Sequence, residues 1–330
     1  MPPLVTVLMP VYNGQPYLRE AIQSILEQTY RNFEFLIMDD GSTDNTAGIV
    51  KSFGDPRIRF HHSDINRGIE QTLNDGILQA KGEYVARMDA DDISLPERIA
   101  IQVAFLEKNP DTGVLGSAVR QIGKNWPSRK VQSPLTDDEI RAHFLFHNPM
   151  LHPTVMFRKN LGGRIAYPLG FKYAEDYKLW VDIADRTRFA NLQETLLLYR
   201  IHEGQITKSR QEESRKSTNH IRTDYLKQNF PGLSDQDINI HVSILNNCHG
   251  ISLIIVSSWL EKLTEINRQT HAFDQEILLK LLGGKWLDCC RKSRKRGSEI
   301  HRIFKSSPLS SHNMGNMKNK LKYYLKVLTS

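Results

Sequence analysis

Three carboxylates fall within four residues at Asp89-Ala90-Asp91-Asp92, directly after the short run Tyr84-Val85-Ala86-Arg87-Met88. Like charges this close repel one another, and burying them unpaired is costly. A divalent cation relieves the repulsion, and aspartate oxygens suit Mg2+ or Mn2+. The plain alternative is a solvated acidic loop without a ligand. Beyond the cluster, Ser94-Leu95-Pro96-Glu97 has the spacing of a capping box and is expected to open a helix that runs to Lys108. The carboxylates are then expected at the C-terminal end of a strand, where open α/β sheets bind ligands. A second acidic pair, Glu175-Asp176, stands at the start of a later helix. Taken alone, it fits either a proton-accepting carboxylate or negative charge placed on a helix dipole.

The elements that must position these groups are legible from periodicity. Leu4 to Met9 is a β-rich apolar run that ends at Pro10 and the turn pair Asn13-Gly14. After Pro16 the apolar residues Leu18, Ala21, Ile22, Ile25 and Leu26 recur with helical spacing. A second strand, Phe33 to Met38, runs into Asp39-Asp40-Gly41-Ser42, and Asp44 is expected to cap the helix that follows. A third strand, Arg57 to His61, leads to Asn66-Arg67-Gly68 and a helix ending near Gln79. This alternation predicts a mostly parallel, doubly wound α/β sheet flanked by helices. Further strands are expected over Thr112 to Gln121, His152 to Phe157 and Glu194 to Tyr199. Thr136 and Glu139 are expected to cap a helix running to Phe146, and the loop from Lys124 to Pro134 holds Trp126-Pro127. Gly162 to Gly170 is a glycine-rich segment expected to be mobile, and from about Ser209 onward the pattern is helical.

With 330 residues the chain is long enough for one large domain and an appendage, and its 39% hydrophobic and 25% charged residues are ordinary for a globular protein. No apolar run approaches the roughly 18 residues of a spanning helix. Leu4 to Met9 reads as a strand rather than a secretion signal, so a cytoplasmic location is expected. Cys248, Cys289 and Cys290 have neither disulfide nor zinc spacing, which agrees with a reducing compartment. Charge is unevenly spread. From Lys285 onward there are twelve Lys and Arg against Asp288 and Glu299, a local balance of +10. The whole chain carries +7, which leaves −3 for residues 1–284 and argues against a nucleic-acid binder.

Six segments occur in one order: Val7-Leu8-Met9-Pro10-Val11-Tyr12-Asn13, Ile37-Met38-Asp39-Asp40-Gly41-Ser42-Thr43-Asp44, Asn66-Arg67-Gly68, Arg87-Met88-Asp89-Ala90-Asp91-Asp92, Glu175-Asp176 and Tyr199-Arg200-Ile201-His202. Together they resemble the family 2 glycosyltransferases, inverting enzymes of the GT-A fold that use nucleotide-sugar donors. The resemblance covers roughly residues 4–207. It implies a catalytic domain over 1–207 and a helical, basic extension over 208–330.

The resemblance also implies roles. Asp91 would hold Mn2+ or Mg2+, with Asp89 on the donor's ribose or the metal. Asp92 would touch the sugar or sit before the Ser94 cap. Pro10, Tyr12 and Asp39 match positions that seat the nucleobase and ribose, and a carboxylate at Asp39 can accept the imide N–H of uracil. The alternative for Tyr12 is a loop aromatic packed on the sheet edge. Asp40 reads as a turn residue before Gly41. Arg67 matches a position near the base or diphosphate, and its planar fork suits phosphate; an exposed loop arginine is the alternative. Asp176 would be the general base, with Glu175 as its structural partner. His202 would approach the diphosphate or the metal, unless it is a structural histidine. His152 resembles a loop residue on the acceptor side, whereas His61 and His62 read as strand-end residues without function.

The implied partners are a nucleotide-sugar donor, with UDP as the nucleotide, and a saccharide or lipid-linked saccharide acceptor. The implied process is the assembly of cell-surface polysaccharide or lipopolysaccharide. In the tail, Arg291 to Arg296 and Lys318 to Lys326 are basic, and Leu321, Tyr324, Leu325 and Leu328 share one helical face. That pattern fits peripheral contact with anionic lipid or a solvated basic end. Two other classes bear on the same fold. A nucleotidyltransferase would carry a glycine-rich, basic first loop, which Pro10-Val11-Tyr12-Asn13-Gly14 is not. A non-catalytic nucleotide-sugar sensor would have no need of intact Asp89, Asp91 and Asp176. A nicotinamide dehydrogenase is excluded, because no G-x-G-x-x-G follows the first strand.

Overall fold

Continuous apolar runs make strands that must be covered on both faces. In the computed structural model, β1 (Val5–Val11) and β2 (Phe33–Asp39) are buried along nearly their whole length. The structure describes residues 2–123, 127–203, 210–247, 250–312 and 317–328. Trp126, Cys248 and the expected boundary between residues 207 and 208 lie outside the described residues, as do the side chains of Lys318, Asn319 and Lys326. The chain forms two compact units, Met1–Ile140 with Asn148–Thr218, and Arg141–His147 with Asn219–Ser330.

The first unit holds one sheet. β3 (Ile58–His62), β2, β1 and β4 (Tyr84–Arg87) lie side by side in parallel, with Val5 opposite both Phe33 and Tyr84. The parallel half matches the alternation of strand and helix in the sequence. Past β4 the sheet changes character. β8 (Met156–Arg158) runs antiparallel to β4 and to β6 (Thr112–Ile122). β9 (Arg188–Arg200) then lies parallel to β6 and carries β5 (Ile93–Ser94) at its edge. The path is β3-β2-β1-β4-β8-β6-β9-β5, with β7 (Arg129–Val131) pairing off it on β6. The expected strand over His152 to Phe157 is shorter, because a 3-10 turn at His152–Thr154 precedes β8. Pro153 lacks the N–H a strand ladder needs.

Helices α1 (Leu18–Leu26), α2 (Thr46–Lys51), α3 (Ile69–Gln79) and α4 (Arg98–Lys108) connect the strands. On α1 the buried Leu18, Ala21, Ile22 and Ile25 form one stripe that joins Val7, Met9 and Phe35 in the core. Fully burying each such side chain contributes about 1.5–3 kcal/mol. The expected cap falls one residue late: Asn45 is the N-cap of α2 and makes no side-chain cap, while Asp44 before it accepts from Thr46 N at 3.0 Å in the turn that enters the helix. Thr136 and Glu139 form their capping box before α5 (Asp137–His143), at 3.4 Å and 3.2 Å. The Ser94–Glu97 box does not form. Ser94 is taken up by β5, and its Oγ accepts from Gln28 Nε2 at 3.1 Å while its N–H donates to Ser24 Oγ at 3.0 Å. Strand pairing and buried partners outcompete a local cap, so α4 begins only at Arg98.

Between α3 and β4 the chain turns at Gly82 under three backbone groups. A Cβ there would lie 2.4 Å from Thr6 N, 2.6 Å from Tyr84 O and 2.9 Å from Leu4 O. Backbone cannot swing aside as a side chain can, so Gly82→Ala is expected to cost about 2–3 kcal/mol. A thermal melt should show a Tm several degrees lower; an unchanged Tm would mean the turn opens freely.

The second unit is helical. α7 (Gln211–Asn229) continues into it after α6 (Glu175–Asp182) of the first, and α8 (Asp235–Asn247), α9 (Leu253–Thr270), α10 (Gln275–Lys292), α11 (Gly297–Ser306) and α12 (Met317–Leu328) follow. Val256, Trp259, Leu263, Leu282, Trp286, Ile300 and Phe304 are buried in it. Trp286 Nε1 donates to Phe304 O at 3.1 Å, which satisfies the one polar group that a buried indole carries. Segment Arg141–His147 belongs to this unit because its carbonyls are used there: Leu145 O is 2.8 Å from His241 Nε2, and Arg141 O accepts from Tyr225 OH at 3.3 Å. Among the described residues, no helix is long and apolar enough to cross a membrane.

Candidate active site

The acidic cluster sits where β4 ends. Oxygens of Asp89, Asp91 and Asp92 all lie within 4.8 Å of one another. Three carboxylates in that volume could hold one divalent cation. Without one, the charges penalise each other: burial and then Asp89 push the Asp91 carboxyl above its ordinary range. Asp92 is pushed well above it by burial and by both neighbours. Asp92 is buried, and its Oδ2 has no hydrogen-bond partner among the described residues.

β9 closes the cluster from a distance of more than a hundred residues in sequence. Its last residue, Arg200, donates from N to Asp92 Oδ1 and from Nε to Asp91 O, both at 2.8 Å. The Arg200 guanidinium also donates to Glu20 Oε2 at 2.6 Å and lies 4.7 Å over the Tyr17 ring. Just beyond, His202 Nε2 is 2.9 Å from Asp91 Oδ2, and its ring stands 4.8 Å from Tyr17. Arg200 and His202 thus both hold the acidic loop. A second arginine, Arg98, is buried close by and donates to Arg87 O at 2.7 Å and to Gln102 Oε1 at 3.1 Å. Burial pulls its pKa down to about 9, so it stays charged at neutral pH.

The loops after β1 and β2 are laced together. Asn13 N donates to Ser42 Oγ at 2.8 Å, Thr43 N to Asn13 Oδ1 at 2.9 Å and Gln15 N to Asp44 Oδ2 at 3.0 Å. Tyr12, in the same loop, is 52% exposed. Pro10 lies in β1 opposite Met38. The Asp39 carboxylate is buried; it accepts from Ser42 N at 3.0 Å and lies 2.8 Å from His62 Nδ1. An ionised carboxylate offers about four lone-pair sites, so acceptor capacity remains. Asp40 does more than turn the chain: its two oxygens accept from Arg67 N at 2.8 Å and Gly68 N at 2.9 Å. Gly41 lets these loops meet, since its φ is +78° and a Cβ would lie 2.7 Å from Ile65 C. The Arg67 guanidinium pairs with Asp75 on α3.

Glu175 and Asp176 begin α6. Asp176 Oδ2 accepts from Asn148 Nδ2 at 2.8 Å and Oδ1 from Tyr177 N at 2.7 Å. Burial raises its pKa to about 6 against those hydrogen bonds. Glu175 is buried, and burial followed by the Asp176 charge raises it to about 8. Of two adjacent carboxyls, the environment thus keeps one proton on Glu175 while Asp176 ionises. The segment expected to be mobile supplies a neighbour: Tyr167 is buried, with N–H and C=O bonded to Asn74 of α3 at 2.7 Å and 2.8 Å. Tyr167 OH is 2.8 Å from His152 Nε2. Burial, with help from Arg87, holds the His152 pKa well below its ordinary value, so the ring is neutral.

Arg87 links the two carboxylate groups. It is buried at the end of β4, forms an ion pair with Asp89, and its charge also acts on Asp91, Asp92, Glu175 and Asp176. Sequence reading assigned no role to Arg87 or to His62. A charged residue closing an otherwise apolar buried strand was the available signal for the first. Nothing local marks the second, because its partner Asp39 belongs to another strand.

The chain belongs to glycosyl transferase family 2, whose family model matches residues 6–180. It is therefore a glycosyltransferase. It is 33% identical over 262 residues to an uncharacterized glycosyltransferase of Haemophilus influenzae, covering 75% of this chain and 81% of that one. It is also 33% identical over 213 residues to the O-antigen biosynthesis glycosyltransferase WbnJ of Escherichia coli, covering 62% and 83%. Among solved structures, S. aureus TarS 1-349 in complex with UDP-GlcNAc matches with a TM-score of 0.59 at 19% identity, over 93% of this chain and 89% of that one. The mannosyltransferase PcManGT from Pyrobaculum calidifontis, in complex with GDP-Man and Mn2+, matches with a TM-score of 0.54 at 17% identity, over 100% and 88%. These likenesses agree on the fold, a GT-A-type α/β sheet followed by a helical region.

Proposed function

We propose that this glycosyltransferase is an inverting, metal-dependent enzyme. It would move a hexosyl or N-acetylhexosaminyl group from a UDP-sugar to a hydroxyl of a saccharide or lipid-linked saccharide acceptor. The observation that carries the reading is the gathering of Asp89, Asp91 and Asp92 around Arg87, which also acts on Asp176. The donor set fits Mn2+ or Mg2+, which when bound would offset the charge developing on the leaving diphosphate. Asp91 and Asp89 would hold the ion, with His202 orienting Asp91 through their contact. Pro10, Tyr12 and Asp39 would seat the base and ribose, His62 fixing the Asp39 carboxylate. Arg67 would turn from Asp75 to the diphosphate.

Asp176 would accept the proton of the acceptor hydroxyl as that oxygen attacks the anomeric carbon from the face opposite the nucleotide. The carbon–oxygen bond to the diphosphate breaks, and the configuration inverts. Asn148 and Tyr177 N–H aim the carboxylate, and protonated Glu175 spares it a like charge. The family relationship with WbnJ supports a role in cell-surface polysaccharide assembly, as TarS with UDP-GlcNAc supports the choice of UDP. Such acceptors are met at a membrane, and the basic C-terminal region is where this chain carries charge to meet one.

Thermal shift with UDP, GDP, dTDP and NAD, each with and without Mn2+, tests the donor site, because a ligand of the folded state raises Tm. A Mn2+-dependent rise with UDP is expected; no rise with any nucleoside diphosphate would remove the donor reading. Transfer should also depend on pH. The active form of Asp176 is the ionised one, so kcat should fall about tenfold per pH unit below about 6 and level off above it. A flat profile through that range would move the base elsewhere.

A further inference from the structure

The final helix faces two ways. Toward its own unit, α12 is anchored by Tyr323, which is 1% exposed, packs on the Phe304 ring at 4.8 Å and places its OH 3.4 Å from His301 Nδ1. Outward, Leu321, Tyr324, Leu325 and Leu328 are 61%, 53%, 52% and 78% exposed. Their spacing of three and four residues puts them on one face. The inner contact already gives the helix its place in the fold, so this second apolar stripe is not explained by packing. Large apolar residues are often exposed singly, but a contiguous row marks an interaction surface.

The charge around the row selects the partner. Lys318, Lys320, Lys322 and Lys326 belong to the same helix, and it contains no acidic residue. Two copies meeting through this face would set Lys320 and Lys322 of each, which flank the row at helical spacing, against like charge. A nucleic acid would leave the aliphatic row in water. An anionic bilayer satisfies both features, with apolar side chains at the acyl boundary and lysines at the phosphates. We propose that α12 is a membrane-docking helix lying in the plane of an anionic lipid surface. This deepens the membrane-side reading of the acceptor given above, and binding is measured without donor or acceptor, so the two can fail separately.

The test is flotation of the full chain with phosphatidylcholine vesicles, with and without about one third phosphatidylglycerol. The protein should float with the anionic vesicles and stay behind with the neutral ones. Leu321→Gln with Leu325→Gln should lower vesicle affinity by about tenfold or more. Lys320→Gln and Lys322→Gln should each lower it about fivefold. These side chains are not part of the core, so all three variants should keep the parent Tm and its donor-induced rise. The proposal is overturned if the leucine variant floats like the parent. It is equally overturned if the parent ignores anionic vesicles, or instead forms a concentration-dependent dimer that the leucine changes dissolve.

Discussion

Asp176→Asn is expected to lower kcat by about 10²–10⁴-fold while leaving donor affinity and Tm close to those of the parent. The substitution keeps the shape of the side chain. Tyr177 N–H, which bonds Oδ1 at 2.7 Å, can still reach an amide oxygen. What disappears is the charge that accepts a proton. Asparagine removes the Asp176 charge that helps to raise the Glu175 pKa, but burial, the larger cause, remains and still disfavours an ionised Glu175. The residual rate should lose the limb near pH 6, because that limb belongs to Asp176. Measuring kcat and donor-induced Tm on one preparation separates the chemical step from binding. Turnover within a few-fold of the parent would show that another group is the base.

Asp91→Asn should fail at the earlier step. The amide keeps an oxygen but removes one of three negative charges within 4.8 Å of one another. The Mn2+-dependent rise in Tm with UDP should vanish, and transfer should drop by about 10²–10³-fold or more, since a bound cation is worth several kcal/mol on the leaving diphosphate. In the absence of metal the opposite sign is expected for stability. Asp91 is held near Asp89 and Asp92 at the cost of repulsion, so neutralising it should leave Tm unchanged or slightly higher. A variant that melts lower than the parent without metal would point to His202 and Asp91 as a structural pair rather than a metal-side contact. Retained Mn2+-dependent donor binding would shift the ligand role to Asp89 or Asp92.

The parallel half of the sheet was legible because β1, β2 and β4 are short apolar runs that alternate with helices, and the polar loops after them announce where ligand chemistry gathers. The failures are local signals that tertiary contacts overrode. Ser94 has the composition of a cap and becomes part of β5, because pairing with Leu197 and hydrogen bonds to Ser24 and Gln28 satisfy more groups than a cap would. Within the glycine-rich stretch, no local pattern announces that Asn74 bonds both the N–H and the C=O of Tyr167. Antiparallel β8 could not be told from its neighbours by periodicity, which reports burial and not direction.

Residue types by themselves determined that this chain carries a trio of aspartates behind a strand, an acidic pair at a helix start and a basic tail with an apolar row. They also determined the order of segments that marks the family. The tertiary structure alone decided which distant groups those residues answer to. It set His202 against Asp91, His62 against Asp39, Asp40 under the Arg67 loop and Arg87 between the two acidic groups. It also decided that the row on α12 faces outward. Such pairings depend on strand order and register, and the energies of buried charges depend on what lies within a few ångströms in space. Neither quantity is local in sequence.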